Sequence, residues 1–278
     1  VSKFHFMECS GNGLTDWLKP SSKTVQQTHG LLSAAQWTGV PVSTLLDEAG
    51  LLKEAKWGLA EGADGSAHAR SIPIQKLLDD ALLVYASNGE MLRPENGYPL
   101  RLFIPGWEGN VSVKWIRRIK LGDEPWHIRS ETARYTDPMP DGKWRQFSME
   151  MEAKSVVTSP SGGMNIRPGI VEIQGFAWSG NGKVRTVDVT LDGGRTWREA
   201  RVEEPVLDKS LTRFRYEFKW DGSPMSIASR VVDSTGYVQP TVDDIKKVRA
   251  IVGFVQHNNA IQPWAVSSSG EVTNAQFG

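Results

Sequence analysis

From Arg213 to Trp220 the chain alternates without a break, with Phe214, Tyr216, Phe218 and Trp220 on one side and Arg213, Arg215, Glu217 and Lys219 on the other. A period of two cannot place apolar residues on one stripe of a helix, but it sorts them cleanly onto one face of a strand. The run therefore predicts a strand with one face buried and the other in water, which is the habit of an antiparallel sheet. Similar strands are predicted at Val171–Ala177, Val184–Leu191, Trp197–Val202 and Ile227–Asp233. Turn clusters such as Asp192-Gly193-Gly194 and Asp221-Gly222-Ser223-Pro224 separate them. Strands alone, evenly spaced over this stretch, describe an antiparallel sandwich.

The first half reads differently. Val42, Leu45, Leu46 and Ala49 keep helical spacing and stop at Gly50, and Ile74, Leu77, Leu78 and Ala81 do so ahead of a strand at Leu82–Ala86. Further strands are predicted at Pro99–Ile104 and Val111–Leu121, the second placing Val113, Trp115, Ile119 and Leu121 on one face, interrupted by Arg117. Residues 123–165 are rich in Pro, Gly, Met and charge and predict a covering loop followed by a linker. The chain has 278 residues, beyond the usual single-domain size of about 100 to 200. Two domains are expected, an α+β domain over residues 1–150 and an all-β domain over 151–278.

Charge narrows the partners. The 32 basic and 32 acidic residues cancel and no basic stripe stands out, so the chain is not read as a nucleic-acid binder. It contains no apolar run of about 18 residues, so no membrane span is expected. The eleven tryptophans mostly fall in predicted strands, which favours packing over carbohydrate or nucleotide stacking. The opening Val1-Ser2-Lys3-Phe4-His5-Phe6-Met7 reads as the middle of a strand, and a fragment or processed chain is expected.

The single cysteine excludes an internal disulfide and a Cys-x-x-Cys-His haem site. Cys9 sits at the end of an apolar strand, on the lip of the turn Ser10-Gly11-Asn12-Gly13. A strand fixes the sulfur while a turn without bulky side chains lets a large cofactor approach the backbone, so Cys9 is a candidate metal ligand. A buried, inert thiol is the competing reading. The five histidines lack the close spacing of a zinc helix. Arg101 and Lys114 each interrupt an apolar run and suit an anion pocket, although a snorkelling surface charge has the same signature.

Taken together, Glu8-Cys9-Ser10-Gly11-Asn12, Trp37-Thr38-Gly39-Val40-Pro41, Asn96-Gly97-Tyr98-Pro99-Leu100-Arg101 and Val113-Lys114-Trp115-Ile116 resemble the sulfite oxidase family of molybdenum–pterin enzymes. In the second half, Gly175 through Gly180, Val187 through Trp197 and Asp233 through Gln239-Pro240 resemble that family's immunoglobulin-like dimerisation domain. The similarity covers roughly residues 4–260. It implies a mixed α/β molybdopterin domain, shortened at its N-terminus, followed by an all-β immunoglobulin-like sandwich through which two subunits form a homodimer.

The resemblance also assigns roles. Cys9 is implied as the molybdenum ligand and a catalytic residue, with Ser10, Gly11, Asn12, Arg101 and Lys114 binding the molybdenum–molybdopterin cofactor, one per chain. Tyr135 falls where the family has an active-site tyrosine, and its hydroxyl is implied as catalytic, hydrogen-bonding and moving a proton; a plain loop tyrosine is the alternative. Gly13 and Leu14 stand where sulfite-oxidising members carry arginines, one of which binds the oxyanion. The family also has a portion ahead of this cysteine that contributes pterin contacts and another arginine.

Lys23-Thr24-Val25-Gln26-Gln27-Thr28-His29-Gly30-Leu31-Leu32-Ser33 is similar to the sulfane dehydrogenase branch of the family. That branch implies oxygen-atom transfer to a sulfane sulfur carried on a cysteine arm of a sulfur-carrier protein, a c-type cytochrome as electron acceptor, and a periplasmic location. Two alternatives stay open: a periplasmic sulfite dehydrogenase acting on free sulfite, and a non-catalytic dimerisation or scaffold fragment without the cofactor.

Overall fold

The computed structural model describes residues 1–14, 20, 21, 23–249 and 257–277. They group into two compact units. The first comprises Val1–Cys9, Ser33–Thr136 and Arg145–Glu150; the second comprises Ser10–Leu32, Asp137–Trp144 and the chain from Met151.

The first unit is α+β. One sheet lays Ser2–Glu8 beside Leu32–Pro41 and then Leu82–Ser87, which also pairs with Arg101–Phe103. A second sheet places Trp57–Gly62 between Ala69–Pro73 and Ile116–Gly122, antiparallel to both. The helices Val42–Ala49 and Ile74–Asp79 fall where the apolar spacing put them, the first ending at Gly50 in the left-handed conformation. Val42, Leu46, Ile72, Leu77, Leu102, Ile104 and Val113 form its main core. Burying such a side chain is worth about 1.5–3 kcal/mol.

The strand predicted from Val111 begins only at Ile116. Gly109–Val111 is a 3-10 turn, and Trp115 has φ +49°, a left-handed conformation that an indole residue rarely adopts and that ends any extended run. Arg117 does not break the sheet, because its exposed side chain donates from Nε to Glu61 Oε1 at 2.6 Å. The predicted strand Pro99–Ile104 shrinks to Arg101–Phe103. Within the expected loop of 123–165 lie a helix at Arg129–Ala133 and a strand at Lys154–Ser159. The helix is too short to express a period, and Lys154 masks the strand's apolar pattern.

The second unit carries two antiparallel sheets. One orders Lys154–Ser159, Gly169–Trp178, Thr212–Trp220 and Arg201–Val202; the other orders Arg198–Glu199, Val184–Thr190, Met225–Asp233, Trp264–Val266 and Val272–Asn274. Ile173, Ala177, Phe214, Val187, Val189, Ile227 and Val231 are buried, giving the core of an immunoglobulin-like sandwich. The strand predicted at Trp197–Val202 divides at Ala200 and serves both sheets in turn. Gly175 permits one tight crossing, since a Cβ there would lie 2.3 Å from both the Phe214 ring and Val156 O. Among the described residues no helix is long and apolar enough to cross a membrane.

Candidate active site

Cys9 follows directly on the strand Ser2–Glu8, and its thiol is exposed, which sets aside the buried, inert alternative. Phe6 and Glu8 are buried, so the strand anchors the backbone and presents the next side chain outward. Gly109 makes room for this end of the strand, because a Cβ there would meet Glu8 O at 2.9 Å.

Arg101 comes to the same strand from Arg101–Phe103. Its Nη2 donates to Met7 Sδ at 2.8 Å, its Nε to Ser112 O at 3.3 Å and its Nη1 to Asn96 O at 3.4 Å. Trp37 lies under the guanidinium, 5.7 Å from ring centroid to carbon. Arg101 is buried, not snorkelling, and no carboxylate among the described residues forms an ion pair with it. Burial pushes its guanidinium down to about 10. A cation removed from water and left with neutral acceptors is costly unless an anion completes it.

Lys114 shares this environment. Its Nζ donates to Glu95 O at 2.6 Å, and burial, reinforced by the Arg101 charge, holds its ammonium below the usual lysine range. The left-handed Trp115 beside it is tied down by an indole N–H donated to Pro94 O at 2.9 Å. Two cations that repel one another are thus held together, a grouping that favours an anionic ligand.

Tyr135 is half-buried, past the helix Arg129–Ala133. Its backbone N–H donates to Ser130 O at 2.9 Å. Burial holds the phenol's proton on, raising its pKa; the Arg70 charge opposes this, and the nearby Cys9 and Glu108 charges add to it. A cavity of about 410 Å³ adjoins it, lined in part by Ser66, His68, Arg129, Ser130 and Arg134.

Sequence reasoning missed Arg70, on the strand Ala69–Pro73. The guanidinium is 1% exposed, its carbon lies 4.8 Å from the Tyr135 ring centroid, and its Nε is 3.5 Å from Glu131 Oε1. Arg70 Nε and Nη1 have no hydrogen-bond partner among the described residues. The only signal was a charge inside the run Ala69-Arg70-Ser71-Ile72-Pro73.

Ser10, Gly11 and Asn12 belong to the second unit. Ser10 and Asn12 are buried, and Asn12 Oδ1 accepts from Leu31 N at 3.1 Å. Two residues far along the chain, both overlooked in the sequence, fix this turn. Lys154 Nζ donates to Asn12 O at 2.9 Å and Asn258 Nδ2 to Gly13 O at 2.8 Å. At Gly13, φ +82°, a Cβ would sit 3.4 Å from His29 Nε2, 3.5 Å from Asn258 Nδ2 and 3.7 Å from Lys154 Nζ, so side-chain nitrogens line the hollow.

An exposed soft thiol, and a buried guanidinium that forms no ion pair with a carboxylate among the described residues, fit a thiol-ligated metal carried on an anionic organic group, as a molybdenum–pterin is. The chain matches the family described as oxidoreductase molybdopterin binding domain over residues 1–129, and the Mo-co oxidoreductase dimerisation domain over 145–263. It belongs to the sulfite oxidase family of molybdopterin oxidoreductases.

Among its relatives, mitochondrial sulfite oxidase of Rattus norvegicus is 30% identical over 281 residues, covering 92% of this chain and 52% of the relative. Sulfite oxidase of Gallus gallus is 31% identical over 279 residues, covering 90% and 60%. The chain thus spans about half the length of the curated relatives it matches. The crystal structure of the sulfane dehydrogenase SoxCD from Paracoccus pantotrophus is 48% identical, with a TM-score of 0.95, covering 100% of this chain and 72% of that one.

Proposed function

We propose that this chain is the molybdenum-bearing part of a sulfur-oxidising oxidoreductase whose substrate is a sulfane sulfur carried on a cysteine arm of a partner protein. The observation that carries the reading is the buried Arg101, without a carboxylate ion pair among the described residues, bonded to Met7 two residues before the exposed Cys9. When bound, the molybdenum–pterin supplies two-electron oxygen-atom transfer to reduced sulfur.

The chain's own residues divide the remaining work. Cys9 Sγ would be the thiolate that holds the metal. Arg101 and Lys114 would neutralise the anionic part of the cofactor, and the turn at Ser10, Gly11 and Asn12 would give its backbone for close approach. Tyr135 Oη, its proton held by burial, acts as a hydrogen-bond donor near neutral pH.

Gly13 and Leu14 leave the turn after Cys9 without arginine, which suits a protein-borne sulfur better than a small free oxyanion. The cavity beside Tyr135 has room for more than such an anion. In this reading electrons pass to a c-type cytochrome, and the sandwich pairs two copies of the chain.

The 30–31% identity to sulfite oxidases supports a second reading, oxidation of free sulfite. The holoenzyme with a c-type cytochrome distinguishes the two. Oxidation of a sulfane group on a carrier cysteine, with little turnover of sulfite, supports the first reading; turnover of sulfite alone replaces it with the second.

A further inference from the structure

We propose that Arg70 is the positioning residue for Tyr135, its buried guanidinium lying over the phenol ring and fixing the ring's orientation. The inference rests on the role of Tyr135 at the molybdenum site proposed above.

Arg70 is a poor choice for stability. With 1% exposure, and Nε and Nη1 lacking hydrogen-bond partners, the guanidinium is incompletely repaid for the water it has left. Its ion pair to Glu131 is long at 3.5 Å. What it gains is the face of Tyr135 at 4.8 Å, and a cation over an aromatic ring binds more strongly once both are desolvated.

Glu131 locks the arrangement. It accepts from Ser71 N, from Ser71 Oγ at 3.0 Å and from Ile128 N at 3.3 Å. The strand bearing Arg70 and Ser71 is thereby docked to the helix Arg129–Ala133, whose last turn fixes the backbone of Tyr135 through Ser130 O. The Tyr135 hydroxyl makes no hydrogen bond among the described residues, so the orientation of the ring depends on what packs over it.

The test uses the holoenzyme carrying 3-fluorotyrosine at position 135 and reads its fluorine resonance, with sulfur oxidation measured alongside. In Arg70→Met the resonance is expected to move and broaden as the ring loses its cover. kcat is expected to fall about tenfold with KM little changed, since the loss is of orientation and not of substrate binding. Where Tyr135 is already Phe, Arg70→Met should cost kcat almost nothing more. Arg70→Lys keeps a charge opposite Glu131 and guards against misfolding; it should displace the resonance by a smaller amount because it lacks the planar face.

An unmoved resonance in both variants overturns the inference, as does a kcat loss that repeats in full in the Tyr135→Phe background. The fluorine signal does not depend on turnover, so a moved resonance in a protein that oxidises neither sulfite nor carrier-bound sulfane upholds the positioning role while removing the functional reading.

Discussion

Arg101 Nη2 donates to Met7 Sδ at 2.8 Å, joining a buried cation to the strand that presents Cys9 two residues later. The contact ties the charge proposed to bind an anion to the strand leading into the sulfur proposed to ligate the metal, two strands of one sheet. Rigidity of this kind preorganises a site for a cofactor that must be held by its metal and its anionic group together.

Arg101→Met follows from that geometry. Replacing a buried guanidinium that has no carboxylate ion pair among the described residues by an apolar chain of similar length should leave stability within about 1 kcal/mol or raise it. Retained molybdenum should fall several-fold. Urea unfolding and metal analysis of the same preparation check both halves; a collapsed fold with full metal would make Arg101 structural.

Lys154→Met addresses the second unit. It removes the bond from Nζ to Asn12 O and leaves a buried carbonyl without that donor, a loss of about 1–3 kcal/mol. The turn following Cys9 loosens, so molybdenum retention should drop as well. Chemical denaturation gives the first quantity and metal content after gel filtration the second.

These two residues also mark the limit of what the sequence discloses. Cys9 was legible because a strand running into a Gly/Asn turn is a local pattern. Arg101 and Lys114 were legible as charges interrupting apolar runs, although only the fold shows that they share one environment. Lys154 and Asn258 touch the turn from far along the chain, a relation that no period or spacing encodes. Arg70 was hidden because Ala69–Ile72 are all buried, so the strand shows no alternation against which a charge stands out.

The sandwich was legible for the opposite reason. Its strands keep one face in water, and the register of Gly169–Trp178 against Thr212–Trp220 carries the alternation read in the sequence. Gly175→Ala tests the crossing this register demands, because the added methyl meets the Phe214 ring and Val156 O. A loss of about 1–3 kcal/mol in urea unfolding is expected, with no change in helix content.

Acid sensitivity has an identifiable contributor in Asp192, whose carboxylate accepts from Thr196 Oγ1 at 2.6 Å, Thr190 Oγ1 at 2.8 Å and Thr196 N at 2.9 Å. These bonds hold its carboxyl down at about 2 from an ordinary 3.8. A depressed acid stabilises the fold above its unfolded pKa, and that contribution is lost as pH falls from near 4 through 2. Asp192→Asn should therefore be less stable than the parent near neutrality, with the gap narrowing across this window. A gap that stays constant in urea midpoints across those pH values would contradict the assignment.

The central claim is that Cys9 and its cation pair hold a molybdenum–pterin, and the most direct measurement is elemental molybdenum per chain in the purified protein beside Cys9→Ser. About one molybdenum per chain, lost in the variant, is the predicted result for a single thiolate-anchored metal. No molybdenum in the parent, or equal amounts in both proteins, would contradict it and favour the reading of the chain as a cofactor-free dimerisation scaffold.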